Sequence, residues 1–153
     1  MMKNFEQKGI TFIEISIVLA VVGILVAVVL PSFSKIKENQ ILKNGVQDII
    51  SSLGKARSQT LASLNSSSYG AHFESDKVII FTGTTFSAGA SSNATTNIIS
   101  PASISLINLA GGVTDVYFER LSGAPSTTGA ITISTPSFSK VITISTTGAV
   151  SVN

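Results

Sequence analysis

The sequence predicts an α+β protein: a long N-terminal helix, half transmembrane and half amphipathic, packed on a C-terminal antiparallel β-domain. Three observations point there. No charged residue lies between Glu14 and Lys35. From Leu42 onward, apolar residues recur at spacings close to three and four. Beyond Leu64, short alternating runs are separated by turn residues, and Ser and Thr dominate.

Composition agrees with two environments along one chain. The 153 residues are 44% hydrophobic and 12% charged, about half the charged fraction usual in soluble domains. The net charge of +2 and pI near 9.0 raise nucleic acid as a partner. The distribution argues against it. Lys3 and Lys8 precede the apolar run, and Lys35, Lys37, Lys43, Lys55 and Arg57 follow it. From Asn65 onward, Lys77, Arg120 and Lys140 face Glu74, Asp76, Asp115 and Glu119, so this part is slightly acidic. Phosphate contacts need clustered Lys or Arg. Cysteine is absent, which excludes disulfides, thiol catalysis and cysteine-ligated metals.

Residues 10–33 would form a helix about 36 Å long. That exceeds the roughly 30 Å hydrocarbon core, so a spanning segment is expected. Lys3 and Lys8 would hold the N-terminus in the cytoplasm. Two simpler readings compete. A cleaved secretory signal would need a small-x-small site, for which only Ser32-Phe33-Ser34 offers itself. A plain signal anchor leaves Glu14 unexplained, since a carboxylate in a spanning helix costs about 2–3 kcal/mol.

The segment Lys8-Gly9-Ile10-Thr11-Phe12-Ile13-Glu14, running into an unbroken apolar stretch, resembles the class III signal of type IV prepilins and pseudopilins. The resemblance implies cleavage between Gly9 and Ile10 by a prepilin peptidase on the cytoplasmic side, and N-methylation of Ile10. The apolar helix is then retained. Ile10 departs from the family's commoner Phe or Met. Gly9 lets the backbone lie close against a peptidase groove. Cutting there leaves a cationic amine on Ile10, with Glu14 one helical turn further on. A lone amine and a lone carboxylate are each costly in an apolar core. Pairing the amine of one subunit with Glu14 of the next answers both costs and sets the axial register. Pairing of Glu14 with its own N-terminus is the alternative.

Beyond this, Leu42, Val46, Ile49, Leu53, Ala56, Leu61 and Leu64 form the stripe of an amphipathic helix that packs on a globular domain. Gly23 and Pro31 mark the stretch most easily extended, falling where filament-forming pilins carry helix-weakening residues. A simple kink at Pro31 is the bland reading. Gly45 and Gly54 read as close-packing points or tolerated defects. The domain plan is therefore a cleaved cytoplasmic leader over 1–9, a transmembrane and filament-core helix over 10–33, an amphipathic helix over 34–64 and a β-rich domain over 65–153.

Eight strands are expected, at Tyr69–Phe73, Lys77–Phe81, Thr96–Ile99, Ser103–Leu109, Val116–Glu119, Ala130–Ser134, Val141–Ser145 and Ala149–Val152. Thr82 to Thr96 reads as a mobile loop with Phe86 its one large apolar residue. Ala56-Arg57-Ser58, Tyr69-Gly70-Ala71-His72-Phe73, Val116-Tyr117-Phe118-Glu119-Arg120, Gly129 to Ile133 and Ile142 to Gly148 look like the H-type minor pseudopilins and related minor pilins.

No enzymatic constellation is visible. His72 stands alone in an alternating strand, a structural or surface histidine; without cysteine it does not suggest zinc. Glu74, Asp76, Asp115 and Glu119 lack calcium-loop spacing. Asn65-Ser66-Ser67 and Asn93-Ala94-Thr95 match the glycosylation pattern, as Ser/Thr-rich chains often do by chance. Neither a catalytic residue, a metal nor a cofactor is expected. The resemblance implies a structural subunit, a minor pilin or pseudopilin of a type IV pilus or type II secretion pseudopilus. Its implied partners are other pilin or pseudopilin subunits, the prepilin peptidase, an inner-membrane assembly platform and, before assembly, membrane lipid. The implied location is single-pass in the bacterial inner membrane, with the C-terminal domain outside the cytoplasm. The alternative is a filament-tip module that captures DNA or a secreted substrate.

Overall fold

The computed structural model describes residues 9–153, with side chains at all of these positions except 28, 30, 31 and 32. The chain divides into two units, Met1–Ile36 and Lys37–Asn153. Helix α1, Phe12–Leu61, supplies residues to both. A single 3-10 turn, Leu64–Ser66, follows it. Among the described residues eight strands come next: β1 Tyr69–Phe73, β2 Lys77–Thr82, β3 Ala94–Asn97, β4 Ser103–Leu109, β5 Asp115–Tyr117, β6 Gly129–Ser134, β7 Ser139–Ile144 and β8 Val150–Val152.

The strands form two four-stranded antiparallel sheets, in the orders β3-β2-β1-β5 and β4-β6-β7-β8. Period-two alternation decides which faces turn inward. Ile131 and Ile133 of β6 register against Ile142 and Lys140 of β7, and Ile131, Ile133, Ile142 and Ile144 are all fully or nearly fully buried. In the other sheet Ala71, Phe73, Val78, Ile80 and Val116 are buried. The helical stripe Leu42, Val46, Ile49, Leu53 and Ala56 joins both sets in one core. Leu61 and Leu64, expected to continue that stripe, are instead 44% and 45% exposed. The helix ends at Leu61, and Ser63 and Asn65 take left-handed backbone conformations that turn the chain away.

Among the described residues, no helix is long and apolar enough to cross a membrane. The first turn of α1 carries Glu14, a carboxylate that is costly to place in a hydrocarbon core. The transmembrane half expected over 10–33 is therefore not supported, nor is the single-pass inner-membrane placement that rested on it. The α+β class stands: helix first, then two antiparallel sheets.

The junction of helix and sheet rests on a buried hydroxyl. Thr60 Oγ1 donates to the Ala56 carbonyl at 2.9 Å and accepts from the Tyr69 backbone N–H at 2.9 Å. Thr60→Val keeps the shape and leaves the Tyr69 N–H unmatched, an expected loss of about 1–3 kcal/mol. Urea unfolding should show this loss, whereas Thr60→Ser, which retains both bonds, stays near wild type.

Candidate assembly segment and the surfaces of the β-unit

The residues singled out at the N-terminus are brought together by the start of α1. Thr11 caps the helix: the Glu14 N–H reaches the Thr11 carbonyl at 3.1 Å and its Oγ1 at 3.4 Å. Ser16 Oγ donates to the Phe12 carbonyl at 2.9 Å. A side-chain oxygen at the cap satisfies one of the free N–H groups of a first turn. Sequence reasoning passes over Thr11. Its signal is the Thr11-x-x-Glu14 spacing, the pattern of a capping box. Glu14 thus stands at the positive end of the helix dipole, where a carboxylate is favoured.

Ile10 precedes the helix rather than lying within it, yet it shares a hollow with Glu14. That hollow, about 270 Å³, is lined by Ile10, Glu14, Ile15, Val18 and Leu19. One carboxylate stands among four apolar side chains. Gly9 has open space around the position a Cβ would take, and Ile10 is 71% exposed, so the peptide between them is accessible. Residues 1–8, including Lys3 and Lys8 of the expected leader, lie outside the described residues. Gly23 lies within α1 with nothing near it; the Pro31 side chain lies outside the described ones.

Around the N-terminal part of α1, apolar side chains are exposed on every side. Ile13, Ile15, Ile17, Val18, Leu19, Val21 and Val22 are all roughly half exposed or more. Consecutive helical residues point about 100° apart, so Ile17, Val18 and Leu19 alone sweep most of the circumference. A helix apolar all round is one that ends up covered.

In the β-unit, Gly45 packs closely while Gly54 does not. A Cβ at Gly45 would come within 2.6 Å of Ile133 Cδ1, whereas Gly54 faces open space. Arg57 donates from Nε to the Gly123 carbonyl at 3.0 Å and from Nη2 to the Thr147 carbonyl at 2.9 Å. His72 stacks on Phe86, ring centroids 3.8 Å apart and planes at 6°, while Phe86 meets Phe81 edge-on at 5.7 Å. Phe86, together with the Asn93 Nδ2 bond to the Ser87 carbonyl at 2.8 Å, therefore fastens a segment whose composition suggests mobility. The ion pair Lys77–Glu74, 3.1 Å, spans the β1–β2 turn, and Glu74 holds the Lys77 ammonium above its ordinary range by hydrogen bonding and then by charge. No three His, Asp or Glu side chains converge as a metal-binding group among the described residues.

Comparison with known proteins returns no match: no family model, no curated protein and no solved structure matches the chain.

Proposed function

We propose that the chain is a structural subunit of a pilin-like filament, a minor pilin or pseudopilin, assembled through the N-terminal part of α1. One observation carries this reading: an apolar helix exposed on every side, bearing a single carboxylate in its first turn beside an accessible Gly9–Ile10 peptide. Such a surface requires neighbours, and the same helix of adjoining subunits supplies them. Cleavage after Gly9 frees the Ile10 amine. The amine of one subunit enters the hollow around Glu14 of the next, so that two groups costly to bury alone are buried together. In this reading the prepilin peptidase is the processing partner, and fellow pilin or pseudopilin subunits are the lasting ones.

Sheared filaments from the protein's own cells test it, with intact mass measured on the recovered chain. The expected result is a chain beginning at an N-methylated Ile10 and enriched in the filament fraction. A chain that still carries Gly9, or begins beyond Ser34, and stays out of that fraction overturns the proposal.

A further inference from the structure

The second sheet ends on an unfinished edge. β8 lies at the outside of that sheet and, among the described residues, pairs with β7 alone. Val141 and Asn153 exchange both backbone bonds at 3.0 and 2.9 Å, and Ser145 N–H donates to the Ala149 carbonyl at 2.9 Å. Antiparallel pairing alternates, so Val150 and Val152 turn their N–H and C=O groups away from β7. Such a row of open donors and acceptors is a template for another strand.

Beside this edge runs an open groove of about 410 Å³, lined by Ile50, Leu53, Gly54, Arg57 and Leu61 of α1 and by Val150. Val150 and Val152 register with Ile144 and Ile142, whose side chains face the core. The apolar face of the sheet therefore continues to its last strand and stops with part of the helix uncovered. Arg57 is the cation of this groove. It is half-buried, its two bonds go to neutral carbonyls, and it takes part in no ion pair among the described residues. A half-buried guanidinium favours a carboxylate and holds it in defined geometry.

We propose that this edge receives an extended segment of a partner protein, added as a fifth strand beside β8, with an Asp or Glu side chain meeting Arg57. Main-chain bonds to Val150 and Val152 supply affinity. Alternate side chains enter the groove and supply selectivity. The open space at Gly54 admits an apolar side chain one step from the acid. A second copy of this chain fits less well, because the edge strands β3, β4 and β8 contain no Asp or Glu. The carboxyl-bearing edge strand, β5, has only three residues. This surface lies wholly within residues 37–153 and stands or falls apart from the filament reading.

The full chain in a mild detergent, isotope-labelled, is titrated with short capped peptides of alternating threonine and valine that carry a central glutamate, glutamine or lysine. The glutamate peptide is expected to slow amide exchange at Val150 and Val152. The glutamine peptide should bind about tenfold more weakly, and the lysine peptide not detectably. Arg57→Gln should erase the difference between glutamate and glutamine. Val152→Pro removes an N–H that points away from β7, a substitution edge strands tolerate, so melting should be unchanged while peptide protection disappears. The proposal is overturned if no peptide protects these amides, or if glutamate and glutamine bind alike to the wild type. Binding that survives Val152→Pro also overturns it. So does protection that appears without peptide and grows with protein concentration, since another copy would then occupy the edge.

Discussion

Glu14→Ala is expected to keep the chain out of filaments while leaving cleavage after Gly9 intact. In the proposed assembly the Ile10 amine enters a hollow walled by Ile10, Ile15, Val18 and Leu19, with Glu14 as its one anionic group among the described residues. Removing the carboxylate leaves a buried cation unmatched, a change that typically costs about 3–5 kcal/mol. A loss of that size lowers each lateral contact by more than about a hundredfold, since about 1.4 kcal/mol is a factor of ten. The helix itself should change less. Thr11 still caps the first turn through its own hydroxyl and carbonyl, so only the favourable dipole contact, about 0.3–1 kcal/mol, is lost from the fold. Glu14→Gln should fall between, retaining hydrogen bonding without charge. The readout is the fraction of processed chain in sheared filaments, set against the processed fraction in whole cells. Wild-type incorporation of Glu14→Ala would show that the carboxylate serves only to start the helix.

Gly129→Ala should be the most damaging single methyl group in the β-unit. Gly129 opens β6 with φ near +150°, a conformation that side chains rarely adopt. A Cβ there would collide with the Asn108 carbonyl oxygen and lie 2.8 Å from Leu109 Cα. Both obstacles are backbone of β4, paired to β6 in this register, so no side chain can move aside. Relief requires β4 to shift, and with it buried Leu109 and Ile104. Backbone strain and overpacking together should cost about 2–4 kcal/mol, lowering the melting temperature by roughly 10 °C or more. Gly89→Ala, with open space around it and no positive φ, serves as the control and should melt with the wild type. Equal melting of the two variants would mean that the β4–β6 register can slide at little cost.

Much of the β-unit could be read from residues alone because alternation and turn chemistry act locally. Tyr69–Phe73 and Ser103–Leu109 fall at their expected bounds, and Ile131-Thr132-Ile133 and Ile142-Thr143-Ile144 bury the expected faces. Local patterns do not carry pairing across distance. Nothing in β5 announces that it pairs with β1, or in β4 that it pairs with β6. Leu61 shows a second limit: helical spacing places it on the stripe, but the stripe outruns the surface that covers it. The expected membrane span rested on hydropathy from Ile10 to Phe33, whereas no helix among the described residues reaches spanning length with enough apolarity. At the N-terminus the spacing of Gly9, Ile10 and Glu14 was plain, yet Thr11 was hidden by its ordinariness. A threonine signals a cap only once the helix start is fixed.

Arg57 also bears on the order in which the molecule is made. Its two carbonyl partners lie 66 and 90 residues further along the chain. Neither exists in place until the turn around Gly123 and the β7–β8 hairpin have closed. Contacts of such separation form late, after the loop-closure entropy of everything between them has been met. A chain emerging from its N-terminus therefore carries the last turns of α1 unfastened until residues as far as the β7–β8 hairpin have been synthesised, and that hairpin acts as the latch.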